Sequence, residues 1–485
     1  MIRKSDRDII ANYFEDTSNL KGGYAEEVVI PEKVPELVSF MSGAFARKMP
    51  VTVSGGGTGT TGSRIPFGGA VVSMERLNRI IGLSDAMRSA TVEAGVLVES
   101  LKVRAESSGL FYTSHPTEST AFVGGTVATN ASGARSYRYG PTRRYVKRLK
   151  MVMSDGEIFE LRRGDILLKK DNLTIKLPSG RRIKIPPPRY RMPDTKNSAG
   201  YFWHDGMDLI DLFIGQEGTL SIITEVEMAL VTKPSAFLSS FVFFKKEEAA
   251  WAFCDEVRRD KGLDVLSLEY FDRNAVAILR ERNRNVPDAA LAAIFFEQDM
   301  SGKDSDAVMS FWNNMIPRHN SSLDDTWVAM NDKEAELFLD LRHSIPETVN
   351  ERVKRNGFRK FSMDIAVPDG KLGEMLRFYA GSFKTTGLDH IVFGHIGENH
   401  LHANSMPKSP EEAVAAERLS IEFAKKGVSL GGTVSAEHGI GKLKHKYLEV
   451  MYGRKGMADM ARIKKAFDPA CILGLDNIFP RELLT

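Results

Sequence analysis

Residues Gly55 to Gly62 read GGGTGTTG, directly after the β-prone run Pro50-Val51-Thr52-Val53-Ser54 and directly before Ser63-Arg64-Ile65-Pro66-Phe67-Gly68-Gly69. Gly57, Gly59 and Gly62 make a literal GxGxxG. A dinucleotide-binding Rossmann unit needs a helix to begin at such a loop, because the helix N-terminus supplies the field that holds a pyrophosphate. Pro66, Gly68 and Gly69, followed by the β run AVVSM from Ala70, leave no place for one. A P-loop fails too, since Ser63-Arg64 stands where Lys-Ser/Thr is required. What remains is a glycine-rich connection between two β segments. It is either a plain hairpin loop or a concave nest whose backbone N–H groups receive phosphate oxygens.

Working outward, EEVVIP (Glu26 to Pro31), a helical stretch from Pro35 to Lys48 and the β runs SATVEAGV and RLKMVMSDGEIFEL surround the loop. A helix around Leu97 to Ser108 interrupts them, and the N-terminus, MIRKSDRDIIANYF, reads as a helix. A second run of small residues lies between Ser114-His115-Pro116 and Gly140, with Gly124-Gly125-Thr126 and Asn130-Ala131-Ser132-Gly133. Two such loops in one domain suit an extended, flat ligand. From Arg163 to Lys196 the chain is rich in Lys, Arg and Pro and reads as an elaborated loop or hairpin. Lys233-Pro234 marks a boundary. Beyond it FLSSFVFF, VLSLEYF, ALAAIFFEQ, MDIAVP and HIVFGHI alternate with helical stretches. The expected architecture is α+β: one domain over residues 1–233, a second over 234–427, and a C-terminal segment over 428–485 that returns to the first.

A chain of 485 residues is too long for one ordinary core, which agrees with two domains or more. Lys plus Arg (66) nearly balances Asp plus Glu (63), so nothing argues for nucleic acid as a partner, while a small anionic substrate fits. Cys254 and Cys471 make neither a disulfide framework nor a metal-binding spacing. No run of about 18 apolar residues is present, so no membrane span is expected. The N-terminus lacks the apolar core of a signal peptide. The expected location is cytoplasmic, with peripheral attachment to a membrane left open.

Six of the ten histidines fall between His390 and His445. They concentrate in Gly394-His395-Ile396-Gly397-Glu398-Asn399-His400-Leu401-His402 and in Ser435-Ala436-Glu437-His438-Gly439-Ile440-Gly441. Imidazoles with a carboxylate are ligands for zinc or a related divalent ion, which lowers the pKa of a bound hydroxyl. The plain alternative is that His400 and His402, alternating along a strand, share one polar face.

The stretches GGGTGTTG, VGGTVATNASG, KNSAGY (Lys196 to Tyr201) and FIGQEGTLSIITE (Phe213 to Glu225) resemble the FAD-binding domain of FAD-linked oxidases of the vanillyl-alcohol oxidase type. That resemblance implies a two-subdomain FAD domain with an α+β, ferredoxin-like cap. It also implies FAD contacts at Gly55, Gly56, Gly57, Thr58, Gly59, Thr61, Gly62, Gly124, Thr126, Ala128, Asn130, Gly133, Gly218, Thr219 and Ile222. Thr58 stands where some relatives carry a flavin-linking histidine, so the FAD is expected to be non-covalent. The histidine motifs are similar to those of the D-lactate dehydrogenase, D-2-hydroxyglutarate dehydrogenase and glycolate oxidase flavin-subunit group. The resemblance then implies metal ligation by His395, His402 and Glu437, with zinc, manganese or iron as the ion. His438 becomes the base. Arg342 and Lys360 become partners of the substrate carboxylate, Arg342 by a bidentate grip, and Asn404 a contact to the substrate or the ion. The implied electron acceptor is a quinone or an electron-transferring flavoprotein, with a homodimer left open.

The chain departs from the group's pattern where His400 replaces an asparagine, where Asn399 replaces a glycine, and where Gly474-Leu475-Asp476-Asn477 replaces Asn-Pro-Gly-Lys. Two other readings compete. Alkyl-dihydroxyacetone-phosphate synthases share the fold but carry a histidine run where this chain has Ala436-Glu437-His438. An electron-relaying flavin subunit would have no use for the histidine cluster.

Overall fold

The structure, a computed structural model, describes residues 1–114, 118–169 and 173–485. His115 and Pro116 of the second small-residue run and Lys170 to Asn172 of the basic segment lie outside the described residues.

The strands Glu27–Ile30, Val51–Ser54 and Ala70–Ser73 are short β-branched runs that stack parallel, with Ala70–Ser73 in the middle. Because Val51–Ser54 and Ala70–Ser73 run parallel, the glycine-rich connection is not a hairpin loop, which would make them antiparallel. The N-terminal helix expectation is corrected in part: Ile2–Lys4 pairs antiparallel with Glu27–Ile30, and only then does Asp6 cap a short helix, Arg7–Ile10. A second, antiparallel sheet of five strands contains Ile80–Ser84, Ser89–Glu93, Ile222–Ala229, Val146–Val152 and Ile158–Arg162, in that order. The described part of the basic segment is a hairpin, Thr174–Lys176 against Arg182–Lys184, with Gly180 at φ +91° in its turn.

The stretch VGGTVAT, expected to be loop, forms the helix Val123–Thr129. Its glycine serves packing: a Cβ on Gly124 would lie 2.5 Å from the Ala94 Cβ, so only glycine lets the helix lie this close to Ala94, just beyond the strand Ser89–Glu93.

The cap is an eight-stranded sheet. Phe237–Phe244 and Val265–Phe271 flank Ala292–Asp299 and pair antiparallel with it, so the first two are parallel and joined through the helix Glu247–Arg259. Phe361–Ser362 and His390–Gly394 flank His400–Ser405 in the same way, joined through the helix Leu372–Thr386. Each is a split β-α-β unit, the building block of ferredoxin-like folds. Strands here read as unbroken apolar runs because both faces are covered. Phe241, Phe243 and Phe295 enter one core with the helices Arg273–Arg282 and Asp332–Asn356, while Val242, Phe244, Ile294 and Phe296 enter the other.

After the helix Pro410–Ser429 the chain crosses back. Leu473 bridges Val51, with Val51 N–H donating to Ile472 O at 2.7 Å. The tail thus lies beside the strand that leads into GGGTGTTG. No helix among the described residues is long and apolar enough to cross a membrane.

Candidate active site

His395 follows the strand His390–Gly394, a tight turn over Ile396–Glu398 reverses the chain, and His400–Ser405 returns antiparallel. Alternation puts His400, His402 and Asn404 on one face of that strand. That face is no solvated polar surface: His395, His400, His402 and Asn404 are all buried. Glu437 and His438 arrive from the returning segment and meet them through Asp364. Asp364 Oδ2 accepts from Ser435 Oγ (2.7 Å), His438 N (2.9 Å) and Lys444 Nζ (3.2 Å), and Oδ1 accepts from His400 Nε2 (2.7 Å). This wholly buried aspartate ties the cap sheet to the Glu437-His438 segment.

Glu437 sits among the imidazoles. Its Oε1 is 3.3 Å from His395 Nε2, 3.4 Å from His402 Nε2 and 3.7 Å from His438 Nε2. For ligands about 2.1 Å from one tetrahedral ion, neighbouring ligand atoms lie about 3.4 Å apart. The first two spacings match that edge, so the His395, His402 and Glu437 set fits a divalent ion. Asp364, His400, His402 and Glu437 also offer ligand atoms within 4.8 Å of one another. Burial alone would lower the His395 imidazole, but the carboxylates of Glu269 and Glu437 outweigh it and raise it to about 9. The polypeptide therefore favours positive charge at this place.

His395 is held from behind: its Nδ1 donates to Glu269 Oε1 at 2.5 Å. Glu269 Oε2 also accepts from Arg342 Nε at 3.3 Å and Nη2 at 2.9 Å. The bidentate edge of Arg342 expected to grip a substrate carboxylate is thus taken by Glu269, because the long helix Asp332–Asn356 packs Arg342 into the cap sheet. Lys360 donates to Asn350 Oδ1 at 2.8 Å, and Asn404 Nδ2 to His402 O at 3.2 Å. Burial lowers Lys360 to about 8. It lowers His438 to about 4 against the pull of Asp364, so this imidazole is a neutral acceptor near pH 7.

One cavity of about 440 Å³ joins these groups to the glycine loops. Arg342, Lys360, His395, His402, Asn404, Glu437 and His438 line it, together with Gly55, Gly56, Gly57, Thr58, Gly59, Thr61, Gly124, Thr126, Ala128, Gly133 and Gly218. Gly62, Asn130, Thr219 and Ile222 do not line it. Gly62 and Asn130 hold left-handed turns at φ +76° and +51°, Thr219 bonds Tyr201 and Gln216, and Ile222 is core. On the cavity walls Asp16 Oδ2, Arg64 Nε and Ser132 Oγ are buried without a hydrogen-bond partner. Stranded polar atoms of this kind are costly unless a polar ligand meets them, which suits a nucleotide with its phosphates and hydroxyls.

Sequence reasoning gave no role to Lys196, Glu217, Glu269 or Asp364. Lys196, within KNSAGY, donates to Glu398 Oε2 at 2.8 Å and to Glu437 Oε2 at 2.9 Å. Its motif was a usable signal. Glu269 stands in the strand VLSLEYF, where a lone carboxylate amid apolar residues was the only hint.

Comparison with known proteins gives the family and the fold. The family described as "FAD binding domain" matches residues 25–162, and "FAD linked oxidases, C-terminal domain" matches residues 233–475. Glycolate oxidase subunit GlcD of Bacillus subtilis is 26% identical over 462 residues, covering 94% of this chain and 89% of that protein. D-lactate dehydrogenase of Archaeoglobus fulgidus is 29% identical over 473 residues (95% and 93%). D-2-hydroxyglutarate dehydrogenase of Stutzerimonas stutzeri is 27% identical over 497 residues (98% and 95%). Among solved structures, 4-ethylphenol oxidase from Gulosibacter chungangensis superposes with a TM-score of 0.71 at 16% identity, covering 99% of this chain and 95% of that one. An alkyldihydroxyacetonephosphate synthase superposes with a TM-score of 0.65 at 15% identity (99% and 83%), and both likenesses speak for the fold alone. The chain belongs to the FAD-linked oxidase family, with the vanillyl-alcohol-oxidase-type fold, and is an FAD-linked oxidoreductase.

Proposed function

We propose that the protein is a dehydrogenase that oxidises a small D-2-hydroxy acid to the 2-oxo acid, using non-covalent FAD and a divalent ion held by His395, His402 and Glu437. The observation that carries this reading is the single cavity, in which the glycine loops and the histidine–glutamate cluster share one space. When bound, the flavin supplies the hydride acceptor and the ion supplies the positive charge that lowers the pKa of the substrate hydroxyl. The residues of the chain do the rest. His438, which lines the cavity, is oriented by Asp364, with Nδ1 3.3 Å from Oδ2, which leaves Nε2 to take the hydroxyl proton. The carbon bearing that hydroxyl would give its hydride, with the electron pair, to the flavin, which the glycine loops Gly55 to Gly62 and Gly124 to Gly133 would hold at the other end of the cavity. Lys360 and Asn404 bind and orient the acid, and Arg342, paired with Glu269, adds its charge to the pocket.

The deciding experiment mixes the FAD- and metal-loaded protein anaerobically with matched D- and L-2-hydroxy acids and follows flavin absorbance. Bleaching by at least one D acid, with the L enantiomer inert, is the expected result. Failure of every acid to bleach the flavin would remove the proposal.

Lys360 gives a pH prediction. Lowered to about 8, its ammonium is charged below that pH and neutral above it, so its attraction for the substrate carboxylate is present below pH 8 and lost above. KM for the acid should rise from pH 7 to pH 9 while kcat changes little. Lys360→Arg, which keeps its charge throughout, should flatten that rise. A KM independent of pH in the wild type would take Lys360 out of the binding site.

A further inference from the structure

We infer that His400 is a further ligand of the ion, donating through Nδ1, so that this chain grips the metal with three imidazoles and a carboxylate. The inference rests on the metal-binding reading above.

Its first support is the tautomer. His400 Nε2 lies 2.7 Å from Asp364 Oδ1, and the same carboxylate accepts from Ser435 Oγ, the His438 amide and Lys444 Nζ. A carboxylate serving four donors is an acceptor, so the His400 proton sits on Nε2 and Nδ1 carries a lone pair. That Nδ1 is buried on a residue with no exposed surface, and it has no hydrogen-bond partner. Glu437 Oε2 lies 3.9 Å from it. A lone pair and a carboxylate oxygen repel each other unless a cation lies between them. Lys196, which donates to that oxygen at 2.9 Å, does not hydrogen-bond to His400 Nδ1.

The second support is ring placement. Imidazoles that ligate one ion at about 2.1 Å in a tetrahedral array have centroids roughly 5 Å apart, with planes turned against one another. His395, His400 and His402 have centroid separations of 5.3, 5.5 and 4.7 Å and interplanar angles of 47°, 79° and 78°. The His438 ring is different. It lies nearly parallel to His402, at 17°, and its Nε2 stands farther from Glu437 Oε1 (3.7 Å) than those of His395 and His402 (3.3 and 3.4 Å).

An asparagine stands at this position in the motif that the chain otherwise resembles, so the added nitrogen belongs to this sequence. Three imidazoles and a carboxylate would give the ion four ligands from the chain, and an ion able to take a fifth, as zinc is, would still have room for substrate.

The test is X-ray absorption at the zinc edge of the FAD-loaded protein reconstituted with zinc alone, comparing wild type, His400→Asn and His438→Asn, with zinc affinity from chelator competition. Three imidazole nitrogens in the wild type and in His438→Asn, falling to two in His400→Asn, support the inference. So does zinc held more weakly in His400→Asn by more than about 100-fold, beyond the loss from removing a supporting contact. An unchanged count in His400→Asn overturns it while leaving the metal reading in place. Wild-type protein that retains no zinc overturns both. Should His400→Asn lose its flavin, His400→Gln, closer in bulk, carries the same measurement.

Discussion

Glu437→Gln is expected to abolish reduction of the flavin by any 2-hydroxy acid, by about a thousandfold or more, while the FAD stays bound. That factor is about 4 kcal/mol of barrier, the order of what a Lewis-acid ion contributes to such a step. The side chain is buried, and its carboxylate is surrounded by Lys196, His395, His400, His402 and His438. Burial by itself would push its pKa up, but Lys196, His395 and His400 hold it well below the usual carboxylate range. Glutamine keeps the shape and removes the charge. It also turns one oxygen into an N–H₂ group that must face either the Lys196 ammonium or imidazole nitrogens. The partners named for Glu437 all lie outside the glycine loops, so flavin content should be unchanged. The measurement is anaerobic bleaching against flavin absorbance per protein. Full-rate bleaching in the variant would mean that Glu437 holds no ion that matters to the reaction.

The parts of this molecule that the sequence made legible are those in which local pattern and chemistry coincide. Pro66, Gly68 and Gly69 after GGGTGTTG ruled out a helix, and the loop indeed leads into the strand Ala70–Ser73. The strand alternation of His400, His402 and Asn404 was readable, and burial decided that the face is a site. VGGTVAT was misread because small residues serve two purposes, close approach of a ligand and close packing of a helix, and Ala94 supplies the second. The helix Asp332–Asn356 contains Pro346 and was not anticipated, so the surroundings of Arg342 were invisible. Glu269 and Asp364 act across 126 and 36 residues of chain on His395 and His400. Such partnerships depend on which strands adjoin, and no local pattern encodes that.

Glu217→Ala is expected to cost the protein its flavin and about 3–5 kcal/mol of stability, through acceptors lost in the interior rather than through chemistry. Glu217 sits in a left-handed turn at φ +53°, and its carboxylate is buried. Oε1 accepts from Ile440 N at 2.8 Å, and Oε2 accepts from Gly441 N at 2.7 Å and Ser63 Oγ at 2.6 Å. Its backbone N–H donates to Ala128 O at 2.8 Å, and its C=O accepts from Asn477 Nδ2 at 2.8 Å. One residue therefore joins the first glycine loop, the helix Val123–Thr129, the segment that carries Glu437 and His438, and the C-terminal tail. Alanine keeps the backbone bonds but strands three donors, two of them amides just after His438. The cavity should then lose the relation between its flavin half and its histidine half. Glutamine should fall between, since one oxygen survives while the new N–H₂ opposes a donor. Flavin content after gel filtration, thermal unfolding and proteolysis between residues 435 and 445 report the three consequences separately. A variant that keeps its flavin, its Tm and its resistance to cleavage would show that the returning segment is held without Glu217, by its other contacts such as the Asp364 cluster and the Lys442 bonds to Ser63 and Asn477.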